Sequence, residues 1–225
     1  VSVNTTSGFS IVKYTGTSAV GTVGHGLSSA PKMVIVKNLD NGSTNWTVGT
    51  SLAASPITGY LTLNTGNSWG ADNTGFNSTN PSSTVFSIGT GNAYTNASGN
   101  SFIAYCFADV QGFSKIGSYT GNANANGPFC YTGFFPSFVM VKNVSGSESW
   151  HVWDNKRSPF NMRELVLYPN GAGVEEDVGA DIDMLSNGFK LRSASTSVNG
   201  SSNSFIYMAF GQSIVGTNGV TAKAR

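Results

Sequence analysis

An all-β protein built as two tandem β-sandwich repeats, jelly-roll-like and about 104 residues each, is predicted by three observations. First, 103 of the 225 residues are Gly, Ser, Asn or Thr, all weak helix formers. Second, 12% of the residues are aromatic and only 10% charged, at a net charge of +1. That balance excludes intrinsic disorder, because disordered chains lack aromatics and carry net charge. Third, short apolar blocks recur in one order at a nearly constant spacing.

The recurrence is direct. Gly8-Phe9-Ser10 returns as Gly112-Phe113-Ser114, Tyr14-Thr15-Gly16 as Tyr119-Thr120-Gly121, and Trp46 as Trp150. Residues 31–38 (PKMVIVKN) return at 136–143 (PSFVMVKN), and 100–107 (NSFIAYCF) at 203–210 (NSFIYMAF). All offsets lie between 103 and 105 residues. Such a unit is too long for a solenoid repeat or propeller blade and has the size of a small sandwich. The repeats are placed at 1–110 and 111–225.

Alternation of apolar and polar residues between Gly, Asn and Pro punctuation marks the elements. In the first repeat it predicts strands over 9–14, 32–37, 45–50, 60–63, 84–88 and 101–108. In the second it predicts strands over 114–119, 137–142, 150–154, 164–168, 189–192 and 204–210. Asn41-Gly42, Asn187-Gly188 and Asn199-Gly200 offer the backbone freedom that tight turns need. The runs at 33–36 and 102–107 are apolar at every position, which predicts burial on both sheet faces. Trp46 and Trp150 are expected to plug the space between sheets, with Phe102 and Phe205 as further core. The stretches 66–83 and 170–187 read as long loops, a length often associated with function.

Little of the sequence carries reaction chemistry. His25 lies between glycines and reads as a turn residue bonded to backbone, while His151 falls on a strand. Cys106 and Cys130 read as two buried free thiols. No nucleophile elbow, phosphate loop or dinucleotide fingerprint occurs, so no enzyme class and no cofactor are indicated. Without a Lys/Arg cluster or an apolar run of 18 residues, neither nucleic acid nor membrane is an expected partner. The acidic run Glu175, Glu176, Asp177, Asp181, Asp183 reads as a solvated loop. Asp181 and Asp183 are its calcium candidates, since they would point the same way in extended backbone.

Binding residues are easier to nominate. Sugar recognition uses aromatic platforms beside amides and carboxylates. Trp69 and Asp72 fit that description, in a polar loop that the repeat leaves unmatched. Trp153 and Asp154, followed by Lys156 and Arg157, form a second group.

The segments 8–16 (GFSIVKYTG), 24–27 (GHGL), 30–32 (APK) and 34–37 (VIVK) also resemble a known family. So do 112–121 (GFSKIGSYTG), 181–190 (DIDMLSNGFK) and 206–210 (IYMAF). It is an uncharacterised domain at the C-terminal end of large structural proteins of tailed phages, especially marine ones, and the resemblance covers nearly the whole chain, to Arg225. The resemblance implies a virion protein on the particle exterior, as the host-receptor or glycan-binding end of a tail fibre or appendage. The alternative it implies is a capsid decoration protein bound to the capsid lattice. Other phage structural proteins are then partners, and a homo-oligomer, a trimer first, is the expected assembly. The family brings no catalytic residues with it, and a polysaccharide-cleaving enzyme is the third reading.

Overall fold

The alternating segments form antiparallel strands, described by a computed structural model over residues 1–90 and 93–211. The chain divides into two compact units, Val1–Asp109 and Val110–Arg225. In the first unit the strands are β1 (Ser2–Asn4), β2 (Phe9–Thr15), β3 (Gly21–Gly24), β4 (Met33–Asn38), β5 (Thr47–Thr50), β6 (Gly59–Thr62), β7 (Gly70–Ala71), β8 (Val85–Ile88) and β9 (Ser101–Phe107). A single helical turn, α1 (Asn73–Phe76), precedes β8. The second unit holds β10 (Ser114–Thr120), β11 (Phe129–Tyr131), β12 (Pro136–Asn143), β13 (His151–Asp154), β14 (Arg163–Val166), β15 (Glu176–Leu185), β16 (Gly188–Leu191) and β17 (Ser204–Gly211). There α2 (Thr196–Asn199) precedes β17.

Each unit is sandwich-like. In the first, a seven-stranded sheet ordered β1-β2-β9-β4-β5-β6-β7 accompanies the ribbon β3-β8. Val12, Val34, Val36, Phe102, Ala104 and Cys106 from the large sheet share one apolar cluster with Val23, Phe86 and Ile88 from the ribbon. In the second, sheets β10-β17-β12-β13 and β11-β16-β15-β14 contribute Val139, Val141, Trp153, Phe205 and Cys130, Ile182, Met184, Phe189 to one cluster. Phe102 and Phe205 are therefore core, as expected. Burial on both faces also holds at 33–36, where Met33, Val34, Ile35 and Val36 are all buried.

The duplication extends to hydrogen bonds. The Tyr14 hydroxyl donates to Thr95 O and the Tyr119 hydroxyl to Val198 O, both at 2.6 Å. Tyr14 stacks on Phe102 and Tyr119 on Phe205, with centroids 5.3 and 4.9 Å apart. Asn96 Oδ1 accepts from Thr17 N, and Asn199 Oδ1 from Asn122 N. Asn38 and Asn143 both donate to the segment before the last strand of their unit, at Ala93 O and at Thr196 O in α2. Gly16 and Gly121 lie so close to a neighbouring carbonyl that a Cβ would sit 2.1 Å from it, so no larger residue fits at the ends of β2 and β10.

Three expectations need correction. Trp46 is only half-buried and lies outside the inter-sheet cluster, stacked on Tyr105 at 6.0 Å. Trp150 is buried but also outside that cluster. The cause is strand parity. Trp46 shares a face with Val48, whose partner Ile35 pairs with Tyr105 on the far side of the sheet from Val34 and Val36. The ring that fills the second core is Trp153, three residues on and therefore on the opposite face from Trp150. Finally, the two long loops are not structureless. The first contains β7 and α1, and most of the second is β15, with Ala180, Ile182 and Met184 alternating into the core.

Candidate functional site

The first unit carries a pocket of about 450 Å³ lined by Tyr60, Thr62, Asn67, Ser68, Gly70, Ala71, Asp72 and Asn73. Its volume is in the range typical of small-ligand sites. Two local features build it. Strand β7 pairs with β6 in the register Gly59↔Ala71 and Tyr60↔Gly70. A Cβ at Gly59 would meet Gly70 O at 2.1 Å and Trp69 Nε1 at 2.8 Å, so glycine there lets β7 and the Trp69 ring close over β6. Asp72 then caps α1, accepting at Oδ1 from Thr74 N at 2.8 Å and from Thr74 Oγ1 at 2.6 Å. This is an N-cap of the usual kind, and it fixes the carboxylate at the pocket wall.

Tyr60 supplies the aromatic wall. Its ring lies 5.9 Å from Tyr94 in a tilted arrangement. Its hydroxyl makes no hydrogen bond to any described residue. Burial raises its pKa, and Asp72 and Tyr94 add to the rise, so it stays a neutral donor at ordinary pH. Asn67, Ser68 and Asn73 bring further amide and hydroxyl groups. The pocket can therefore exchange hydrogen bonds with hydroxyls while packing an apolar face against a ring.

The nominated residues divide. Asp72 lines the pocket. Trp69 is half-buried and packs inward on the first core, outside the pocket lining, where an exposed platform was expected. Trp153 is fully enclosed in the second core and presents no ring face to a ligand, which removes it as a binding residue. Asp154 is committed to a loop clasp. It accepts from Lys156 N and Arg157 N, and its Oδ2 lies 2.5 Å from Arg157 Nε. Arg157 in turn reaches Glu175 at 3.3 Å and Val152 O at 3.0 Å. These bonds with Lys156 and Arg157 hold the Asp154 pKa below the ordinary carboxylate value, against the upward pull of desolvation.

Asp181 and Asp183 do point the same way, outward from β15 between the buried residues. Asp183 pairs with Arg192 Nε at 3.4 Å. Among the described residues no group of three His, Cys, Asp or Glu side chains stands close enough to hold a metal ion. The histidines are structural. His25 Nδ1 accepts from Leu27 N at 3.1 Å, so Nε2 carries the proton facing Ser82 O at 3.2 Å. His151 Nδ1 donates to Ser149 O, and the ring stacks on Trp153.

Tyr60, Asn67, Ser68 and Asn73 were not nominated from sequence. Three of them lie in the unmatched 66–83 stretch, which is the available signal. Tyr60 reads there only as a strand residue, and the Tyr60↔Gly70 register brings it to the site.

Among the described residues no helix is long and apolar enough to cross a membrane. No curated protein and no solved structure matches the chain significantly. Residues 1–213 match the family described as a domain of unknown function, DUF7483, and the chain belongs to that family.

Proposed function

We propose that the chain is a non-enzymatic binding module on the exterior of a tailed-phage particle, which holds a host-surface glycan in the pocket of its first unit. The observation that carries this is the lining: the Tyr60 hydroxyl, which makes no hydrogen bond among the described residues, beside Asn67, Ser68, Asn73 and the fixed carboxylate of Asp72. Sugars offer hydroxyls to such groups and a C–H face to the ring. A binding role in preference to cleavage is supported by the carboxylate count, because glycosidic hydrolysis normally uses two and the lining holds one. The virion setting and a trimeric assembly rest on the resemblance of segments such as 8–16 and 181–190 to phage structural proteins.

The test is adsorption of the labelled protein to host cells, with glycan-array binding alongside. Tyr60→Phe, which removes the hydroxyl but keeps the ring packed on the first core, and Asn67→Ala should each weaken binding about tenfold, the equivalent of roughly 1.4 kcal/mol, with unchanged melting behaviour. Wild-type strength in both variants would remove the pocket. Imaging of labelled particles tests the setting, where density on capsomers would replace the fibre role by capsid decoration.

A further inference from the structure

The two units permit a comparison that a single sandwich would not. Strand β3 pairs with β8 so that Val23 lies opposite Phe86, both in the first core. Strand β11 pairs with β16 so that Cys130 lies opposite Phe189, both in the second core. These are equivalent positions of the repeat, with Phe86 and Phe189 reached by Tyr14 and Tyr119 at 6.1 and 6.5 Å. The residues on either side face outward. In the first unit they are Thr22 and Gly24 on β3, opposite Ser87 and Val85. In the second they are Phe129 and Tyr131, opposite Lys190 and Gly188. The first unit thus demonstrates that the framework needs no aromatic at either place. Yet Phe129 is 45% exposed and Tyr131 64% exposed, and exposing two rings side by side brings the fold no stability.

Both rings are seated on glycine. A Cβ at Gly188 would lie 2.8 Å from Phe129 Cζ, so valine, the residue at the equivalent Val85, would displace the ring. The Tyr131 ring passes 3.5–3.7 Å from where Gly133 would carry a Cβ. Thr132 N and Gly133 N both donate to Asn187 O, which ties the end of β11 to the turn before β16. The platform is therefore preorganised, which lowers the entropic cost of binding.

The polar neighbours on the same face define the ligand. Phe129, Lys190 and Asp183 form one row across β11, β16 and β15. Asp183 pairs with Arg192, and Arg192 N donates to Asp181 O on the neighbouring strand. Lys190 and Arg192 stand beside Asp181 and Asp183, with Asp177 also exposed on β15, so the face offers many donors and acceptors and no excess of positive charge that would favour an acidic polymer. Two residues along a strand advance about 7 Å, so the two rings can present separate faces to one extended chain.

We propose that the outward face of β11, β16 and β15 is a second binding site, for an uncharged polysaccharide. Phe129 and Tyr131 stack on sugar rings, and Lys190, Asp183 and Arg192 bond the hydroxyls. The site is independent of the first-unit pocket, and the two are separable by mutation.

The experiment is native electrophoresis of the full chain through gels containing laminarin, hydroxyethyl cellulose, dextran or galactomannan. The expected result is retardation of wild type by at least one of them. Val20→Thr, at an exposed position of the first unit outside both sites, should be retarded equally, whereas F129T/Y131T, which carries threonines at both ring positions, should lose at least tenfold in apparent affinity. Y131F, which keeps the ring, should bind like wild type. An unchanged melting curve in F129T/Y131T separates lost contact from lost fold. The proposal is overturned if none of the four polymers retards wild type, or if F129T/Y131T is retarded as strongly as wild type. It is also overturned if wild type sediments as an oligomer that F129T/Y131T reduces to a monomer, because the rings would then be an interface between copies.

Discussion

His151 shows how one residue's environment sets a measurable property. It is 3% exposed, stacked on Trp153 at 5.8 Å and edge-on to Tyr168 at 5.1 Å. Burial, with a further contribution from the Lys142 charge, pushes its pKa from 6.5 down to about 4. Between those two values the unfolded chain binds a proton that the folded chain does not. Its contribution is complete above pH 6.5 and declines as pH falls toward about 4. The total is on the order of 3 kcal/mol, at about 1.4 kcal/mol per unit. Denaturant titrations of wild type and His151→Phe at pH 7.5 and 4.5 check this. The stability difference between the two proteins should shift in favour of the variant at the lower pH, and a difference independent of pH would exclude the assignment. His25 contributes in the same direction, since burial also lowers its pKa, so the variant retains part of the slope.

At the scale of elements, the segments just before β9 and β17 are each held by one asparagine. Asn199 is fully buried and accepts from Asn122 N at 2.9 Å while donating to Asn124 O and Ser193 O at 2.9 and 2.8 Å. Asn96, equally buried, donates to Ala19 O and Gly89 O and accepts from Thr17 N. Truncating either leaves a buried carbonyl, Ser193 O or Gly89 O, unpaired, at a cost of about 1–3 kcal/mol. Asn199→Ala and Asn96→Ala are therefore expected to lower the urea midpoint by similar amounts, and Asn→Asp at either site to do no better, because a carboxylate cannot donate. A change smaller than that of a surface Asn67→Ala control would show that the clasp does not bear on stability. These locks also explain what the sequence displayed and what it concealed. Alternation between Gly, Asn and Pro punctuation, with all-apolar runs at 33–36 and 102–107, revealed twelve of the strands, because periodicity survives in a single chain. Strand β15 was hidden because its first four residues, two of them acidic, are exposed, with alternation beginning only at Ala180. The roles of Trp46, Trp150 and Trp153 depended on which face each occupies, and a one-residue shift in register reverses that. Asp72 was legible because the repeat leaves its loop unmatched. Phe129 and Tyr131 lie on β11, a strand the alternation did not mark, and they stand out only against the equivalent Thr22 and Gly24 of the first unit.

For the whole molecule, the two cysteines form a natural pair of reporters. Cys106 belongs to the apolar cluster of the first unit and Cys130 to that of the second. Both are free and buried, and burial pushes each thiol up to about 12. Neither can form a reactive thiolate at neutral pH while its core is closed. Alkylation at graded urea concentrations, read by peptide mass spectrometry, therefore follows each core separately. Trp153→Ala removes a ring from the cluster that contains Cys130, at a cost of about 3–5 kcal/mol. Cys130 should then label at clearly lower urea, while Cys106 keeps a midpoint closer to that of wild type. An equal shift at both would mean that the two cores open in one cooperative step. The duplication would then describe the sequence and the architecture, while folding would be a property of the entire chain.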